Sequence, residues 1–202
     1  MKKQILRSIL VGGGIAVLGT ASLSGAAVFA ASNSSNTVIN AAIGSTISIS
    51  TGGTVSLSIT PTGSGSATSA SDTVTVSTNN ATGYTLQLAD SDATVTLTNG
   101  ANTIGAATGT FAAPASLGVN TWGYRIDGAG TFGAGPTSSQ SNVASLSGTW
   151  AAVPASGSPV TIKTTGSTAS GDTTTVWYGA SANTTKPNGT YTDTVTYTAS
   201  TN

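Results

Sequence analysis

Beyond residue 45 the chain alternates, segment after segment, between an apolar side chain and a serine or threonine. "TISIS" sets Ile47 and Ile49 on one parity, and "TVSLSIT" does the same with Val55, Leu57 and Ile59. "DTVTVST" repeats it with Val74 and Val76, "GYTLQLA" with Tyr84, Leu86 and Leu88, and "ATVTLTNG" with Val95 and Leu97. A period of two is the period of a strand, and apolar residues on one parity describe a sheet with one buried face. Threonine suits the other face, because its branched Cβ favours extended backbone without adding an apolar patch. Between these runs stand "TGG", "PTGSGS", "NNATG", "DSD" and "NGAN", all turn chemistry.

The middle of the chain, about 101–158, keeps the rhythm less well. "NTWGYRID" reads as a strand carrying Trp122, Tyr124 and Ile126 on one side, followed by a long loop, 127–147, that is a candidate contact region containing Phe132. Alternation returns with Val160 and Ile162, then Val176 and Tyr178. It ends in "PNGTYTDTVTYTAS", where Tyr191, Asp193, Val195 and Tyr197 share one parity and Thr192, Thr194, Thr196 and Thr198 the other. Many short strands separated by turns predict an all-β fold, a single antiparallel β-sandwich of Ig-like or jelly-roll type over 37–200. Residues 31–36 form a flexible polar start. The stretch 31–50 is an ordinary first strand with a loose tail, or a strand donated to a neighbouring subunit.

The first thirty residues follow a different logic. Lys2, Lys3 and Arg7 precede an apolar stretch from Ile9 to Leu23, and Val28-Phe29-Ala30 offers a small-residue cleavage site. This is the layout of a signal peptide, 1–30, with an uncleaved membrane anchor as the alternative. Either way the bulk of the chain is expected to be secreted, extracellular or at the cell surface.

Composition narrows the functions. Charged residues are 6% of 202, His and Cys are absent, and all six acidic residues are Asp. General acid–base catalysis most often uses His or a tuned Glu, so the chain is read as non-catalytic and in need of no cofactor. With residues 1–30 removed, three basic residues face six aspartates, a net charge of −3. Arg125, Lys163 and Lys186 are too few to neutralise a row of phosphates, so nucleic acid is not an expected partner. Without cysteines the fold has no disulfide, and burial alone must hold it.

A few residues offer chemistry. Asp90 and Asp92 flank a turn and are the candidate pair for Ca²⁺, although a pair is few ligands for an ion that takes about six to eight oxygens; a solvated turn is the alternative. Lys163 lies opposite in parity to Ile162 and is expected to point outward rather than into an isopeptide crosslink. Trp122, Trp150 and Trp177 could stack on sugars or fill a core. Trp177 differs in parity from Val176 and Tyr178, which makes it the candidate exposed aromatic.

"TNNATGYTL", "NTWGY", "AVPASGSP", "GDTTTVWYGA" and "PNGTYTDTVTYTA" together resemble cysteine-free secreted β-sandwich surface proteins of small-genome, host-attached bacteria. The closing strand is also similar to spore-coat-protein-U-like pilins and to WxL-type surface domains. The chain has no cysteine for the disulfide usual in those pilins, and Trp122-Gly123-Tyr124 stands where WxL domains carry Trp-x-Leu. The resemblance implies an exposed structural or adhesive module whose partner is a cell-surface or host-surface ligand. The alternatives are a self-associating pilus or surface-layer subunit and a glycan-binding module.

Overall fold

The computed structural model describes residues 33–134 and 137–202; the expected signal peptide, 1–30, lies outside them. The chain divides into two units, Met1–Ala42 and Ile43–Asn202. Of the first, residues 33–42 have no regular secondary structure and are exposed, Val38 by 81% and Ile39 by 88%. The second contains ten strands and, among the described residues, no helix. They are β1 (Ile47–Ser50), β2 (Ser66–Thr78), β3 (Tyr84–Asp90), β4 (Leu97–Asn99), β5 (Asn102–Ala106), β6 (Thr121–Arg125), β7 (Gln140–Val143), β8 (Val160–Thr164), β9 (Ala169–Ala182) and β10 (Val195–Thr201).

These strands form two sheets. The larger runs β1-β2-β9-β6-β5-β4, with β7 added to β2, and the smaller runs β10-β3-β8. The expectation of a purely antiparallel fold needs correction, because β5 and β6 are parallel, with Gly105 opposite Thr121 and Ala106 opposite Trp122. β4 turns back into β5, and the chain from 107 to 120 then returns to the end at which β5 began before β6 runs parallel to it. The larger sheet is strongly curled, and a bridge between Thr98 and Thr192 ties its β4 end to the chain entering β10.

Alternation explains how the core forms. Val74 and Val76 of β2, Tyr84, Leu86 and Leu88 of β3, Tyr124 of β6, and Val176 and Tyr178 of β9 are all buried in one cluster shared by both sheets. Fully burying a Val or Leu side chain contributes about 1.5–3 kcal/mol, so this shared face dominates folding. The threonines of the closing strand, Thr194, Thr196 and Thr198, are exposed, as their parity predicts.

A second cluster lies on the other face of the larger sheet. Ala67, Ala107, Leu117, Leu146 and Trp150 are buried there, with Val143 and Trp177 packed against them. The sheet admits this layer because Gly123 of β6 pairs directly with Gly179 of β9. A Cβ on Gly179 would stand 2.9 Å from the Trp150 ring, and one on Gly123 would stand 2.4 Å from the Ala151 carbonyl. Two bare backbones side by side therefore let the 146–151 segment lie directly on the strands. Part of the expected 127–147 loop belongs to this cover: β7 pairs with β2, and Leu146 is buried.

One predicted strand is not built. Residues 51–61 carry the "TVSLSIT" pattern, and Val55, Leu57 and Ile59 are half-buried against the core, yet none of these residues lies in a strand. The edge of β2 away from β9 is shared by β1 at Thr75–Thr78 and by β7 at Ala67 and Ser69, and the Ala70–Val74 stretch between them is left without a paired strand. Side chains make some of the connections instead: Gly52 N–H donates to Asp72 Oδ1 (2.7 Å), Thr60 N–H to Asn142 Oδ1 (2.6 Å), and the Thr68 hydroxyl to the Ser58 carbonyl (2.9 Å).

The turn before β3 depends on Gly83. Its φ is +81°, and a Cβ there would lie 2.4 Å from the Thr165 carbonyl oxygen. Gly83→Ala is expected to lower stability by about 2 kcal/mol, from left-handed backbone strain and steric overlap together, read as a drop in the urea midpoint at unchanged m-value.

Candidate functional site

β9 is much longer than β6, and this difference in length leaves a groove beside β9. β6 pairs only with Trp177–Ala180, so the Ala169–Val176 part of β9 has β2 on one edge and no strand on the other among the described residues. β8 is the outer strand of the smaller sheet and pairs only with β3. Between the two bare edges runs a groove of about 660 Å³, lined by Ile126–Ala129, Thr137, Ile162–Thr164, Thr173–Thr175 and Trp177.

Lys163 spans the gap. Its Nζ donates to Asp172 Oδ1 (2.7 Å) and to the Thr173 carbonyl (3.2 Å), joining β8 to β9 through a side chain where no backbone ladder exists. The Tyr84 hydroxyl donates to the other carboxylate oxygen, Asp172 Oδ2, at 2.8 Å. The Lys163 hydrogen bond, aided by that of Tyr84, holds the Asp172 carboxyl below its ordinary range against the opposing effect of burial. Lys163 thus lies against a carboxylate, but both side chains keep about 30% of their surface in solvent, and the pair is an ordinary ion pair.

The far wall of the groove is fixed by Arg125, which is buried. Its Nε donates to Asp127 Oδ1 (2.9 Å) and Thr137 Oγ1 (2.6 Å), and its Nη1 to the Phe132 carbonyl (2.8 Å). Burial alone would raise the Asp127 pKa. Hydrogen bonds from the Thr137 hydroxyl and amide, together with the Arg125 guanidinium, outweigh it and hold the carboxyl below its usual range.

Trp177, the candidate exposed aromatic, lines the groove with one flank against the second cluster and is half-buried. Phe132, the other candidate contact residue, is 4% exposed. Its ring meets Phe111 and Tyr124 edge-on, each at 5.7 Å between centroids, so it seals the core instead of facing a ligand. The remaining tryptophans are also buried, with indole N–H groups donating to the Val95 carbonyl from Trp122 and to the Ser147 carbonyl from Trp150.

Asp90 and Asp92 lie at the end of β3, away from the groove-lining residues. Asp92 accepts from the Thr94 amide (2.6 Å) and Asp90 from the Asp92 amide (3.1 Å), as in an aspartate-capped turn. The sequence reading missed Asp193, two residues before the position paired with Asp90, whose Oδ2, like that of Asp90, is buried without a hydrogen-bond partner. Burial, then the Asp90 carboxylate and more distantly Asp92, push the Asp193 carboxyl up to about 6, although the Thr194 amide pulls the other way. Its parity was the available signal: Asp193, just before β10, shares the half-buried parity of Tyr191, Val195 and Tyr197.

Comparison of the chain with protein-family models, with curated proteins and with solved structures finds no match.

Proposed function

We propose that this chain is a non-catalytic, cell-surface structural or adhesive module, a two-layer β-sandwich that holds an extracellular ligand or partner in the β8–β9 groove. The observation that carries this reading is the groove itself, about 660 Å³ of open space between two unpaired strand edges, lined by hydroxyls and flanked by Trp177. Backbone donors and acceptors, threonine hydroxyls and the side of an indole are the groups that recognise sugars and extended peptides. The poverty in acid–base side chains, with no His and no Glu, agrees with binding rather than turnover.

Binding of the full-length protein to a glycan array and to intact bacterial envelopes tests the reading. Trp177→Ala is expected to weaken the strongest interaction at least tenfold, about 1.4 kcal/mol. Unchanged binding would remove the groove as the contact site.

Self-assembly is the second reading, favoured by the same bare edges. A strand of a second copy would gain hydrogen bonds to β8 or β9. Residues 37–45 lie outside any strand and are exposed, Val38, Ile39 and Ile43 by more than 80%. Light scattering across concentration is expected to show oligomers that disappear when residues 31–45 are deleted; a monomer at every concentration would sink this reading.

A further inference from the structure

We propose that the β8–β9 groove is filled by residues 37–43 of a second copy of this chain, which add as a strand to the open edge of β9 where β6 stops. The inference rests on the groove being a contact site and names its occupant. β9 presents a ready edge. The Thr173 carbonyl accepts Lys163 Nζ from β8, so the backbone groups of Thr173 face the gap. With a period of two those of Thr175 face it as well, and Trp177, two further on, is the residue that pairs with Arg125 at the end of β6. The open stretch, Ala169–Val176, is slightly longer than the segment that would lie on it. Ile126 and Ile162 are buried and give the groove an apolar floor. Beside them Thr174 Oγ1 is buried without a hydrogen-bond partner, and an entering backbone carries the acceptors it lacks.

The chain itself carries the matching piece. In "TVINAAI", residues 37–43, Ile39, Ala41 and Ile43 share one parity and Val38, Asn40 and Ala42 the other. Laid on β9 as a strand, the first set meets the apolar floor and the second faces outward. Val38, Ile39 and Ile43 are the most exposed large apolar side chains among the described residues, so their burial is a gain the isolated copy does not make. The segment has no charged residue, and its entry desolvates no charge of its own. Charges already at the groove are paired within the fold, Lys163 with Asp172 and Arg125 with Asp127. One contact must give way, the Lys163 bond to the Thr173 carbonyl, which at 3.2 Å is longer than the 2.7 Å bond to Asp172 that the lysine can keep.

The chain has no cysteine, so single introduced cysteines report contacts between copies. Full-length Thr175→Cys protein is mixed in turn with full-length Val38→Cys, Asn40→Cys and Ala42→Cys, the outward parity of the segment, and the disulfide-linked heterodimer is measured after mild oxidation. Thr196→Cys, exposed on β10 at the other side of the smaller sheet, replaces Thr175→Cys in the control. One of the three mixtures is expected to give about tenfold more heterodimer than its control, since facing positions on paired strands bring their Cβ atoms close. Alongside, a labelled peptide of residues 36–45 should bind the full chain saturably and about tenfold more weakly to Thr175→Pro, which removes one N–H from the open edge. Heterodimer no greater than in the controls would overturn the proposal. If oligomers then still form and vanish on deletion of 31–45, self-assembly stands through another surface; if Trp177→Ala still abolishes binding to a glycan or envelope, the groove stands with a different occupant. Should Thr175→Pro fail to fold, the cross-linking decides alone.

Discussion

Replacing Trp150 with alanine is expected to lower the unfolding free energy by about 3–5 kcal/mol, the range for emptying a fully buried aromatic site. Trp150 is 0% exposed, and its ring covers Gly179 while Leu146 closes from the side. Its backbone is tied in as well: the amide donates to the Ala115 carbonyl at 2.7 Å, and the carbonyl accepts the Ala115 amide at 3.0 Å. Collapse cannot close the cavity easily, because the floor is the Gly123–Gly179 strand pair, which is locked into the larger sheet. The check is urea unfolding. In the Trp150→Ala background, where the Leu146 side chain can turn into the vacated space, Gly179→Ala should recover part of the loss, whereas in the wild type the same change should destabilise because its Cβ meets Leu146 Cδ1 at 2.5 Å and the indole at 2.9 Å. A loss below about 1 kcal/mol for Trp150→Ala would mean that the second cluster is not packed as described.

Arg125→Ala is expected to cost about 3 kcal/mol. Breaking a buried ion pair typically costs about 3–5 kcal/mol, and the lower end applies here because the Asp127 side chain is 26% exposed. The guanidinium also donates to the Phe132 and Thr149 carbonyls, so its loss releases two further backbone segments. Acid titration adds a second readout. Asp127 ionises below its unfolded value of about 3.8, so its contribution to stability is complete above that pH and is lost as pH falls through the depressed folded value. The Arg125→Ala protein should therefore lose less stability than the wild type between pH 4 and pH 2, measured by denaturant midpoints at each pH.

How much of this was legible in the sequence varies from element to element. Alternation located the strands that face the main core, since Val74, Val76, Leu86, Leu88 and Val176 cannot all be buried in any other conformation. It overreached at Val55, Leu57 and Ile59, because a period of two reports which side chains point inward and not whether the backbone finds a strand to pair with. β7 left no apolar trace, as "QSNV" is held by β2 and by the Thr68 and Ser69 hydroxyls, which accept the Asn142 and Gln140 amides. β5 carries one buried large apolar residue, Ile104, and its parallel pairing depends on where the 107–120 return places it. The groove was invisible because it is a mismatch of length between β9 and β6, and neither strand encodes that mismatch alone. Trp177 could be singled out by parity; Phe132 could not, since its burial depends on Phe111 and Tyr124 arriving from elsewhere in the chain.

The pairing of β2 with β9 brings together residues on the order of a hundred positions apart, and that of β3 with β10 joins a similar separation. β4 with β5 is the one tight local hairpin among the described strands. Such a chain cannot assemble step by step from its beginning: β3 keeps a naked edge until β10 docks, and β2 until β9 does. Refolding from denaturant should accordingly be slow, milliseconds to seconds or longer, and the waiting time belongs to an expanded chain with little structure to protect its apolar strands.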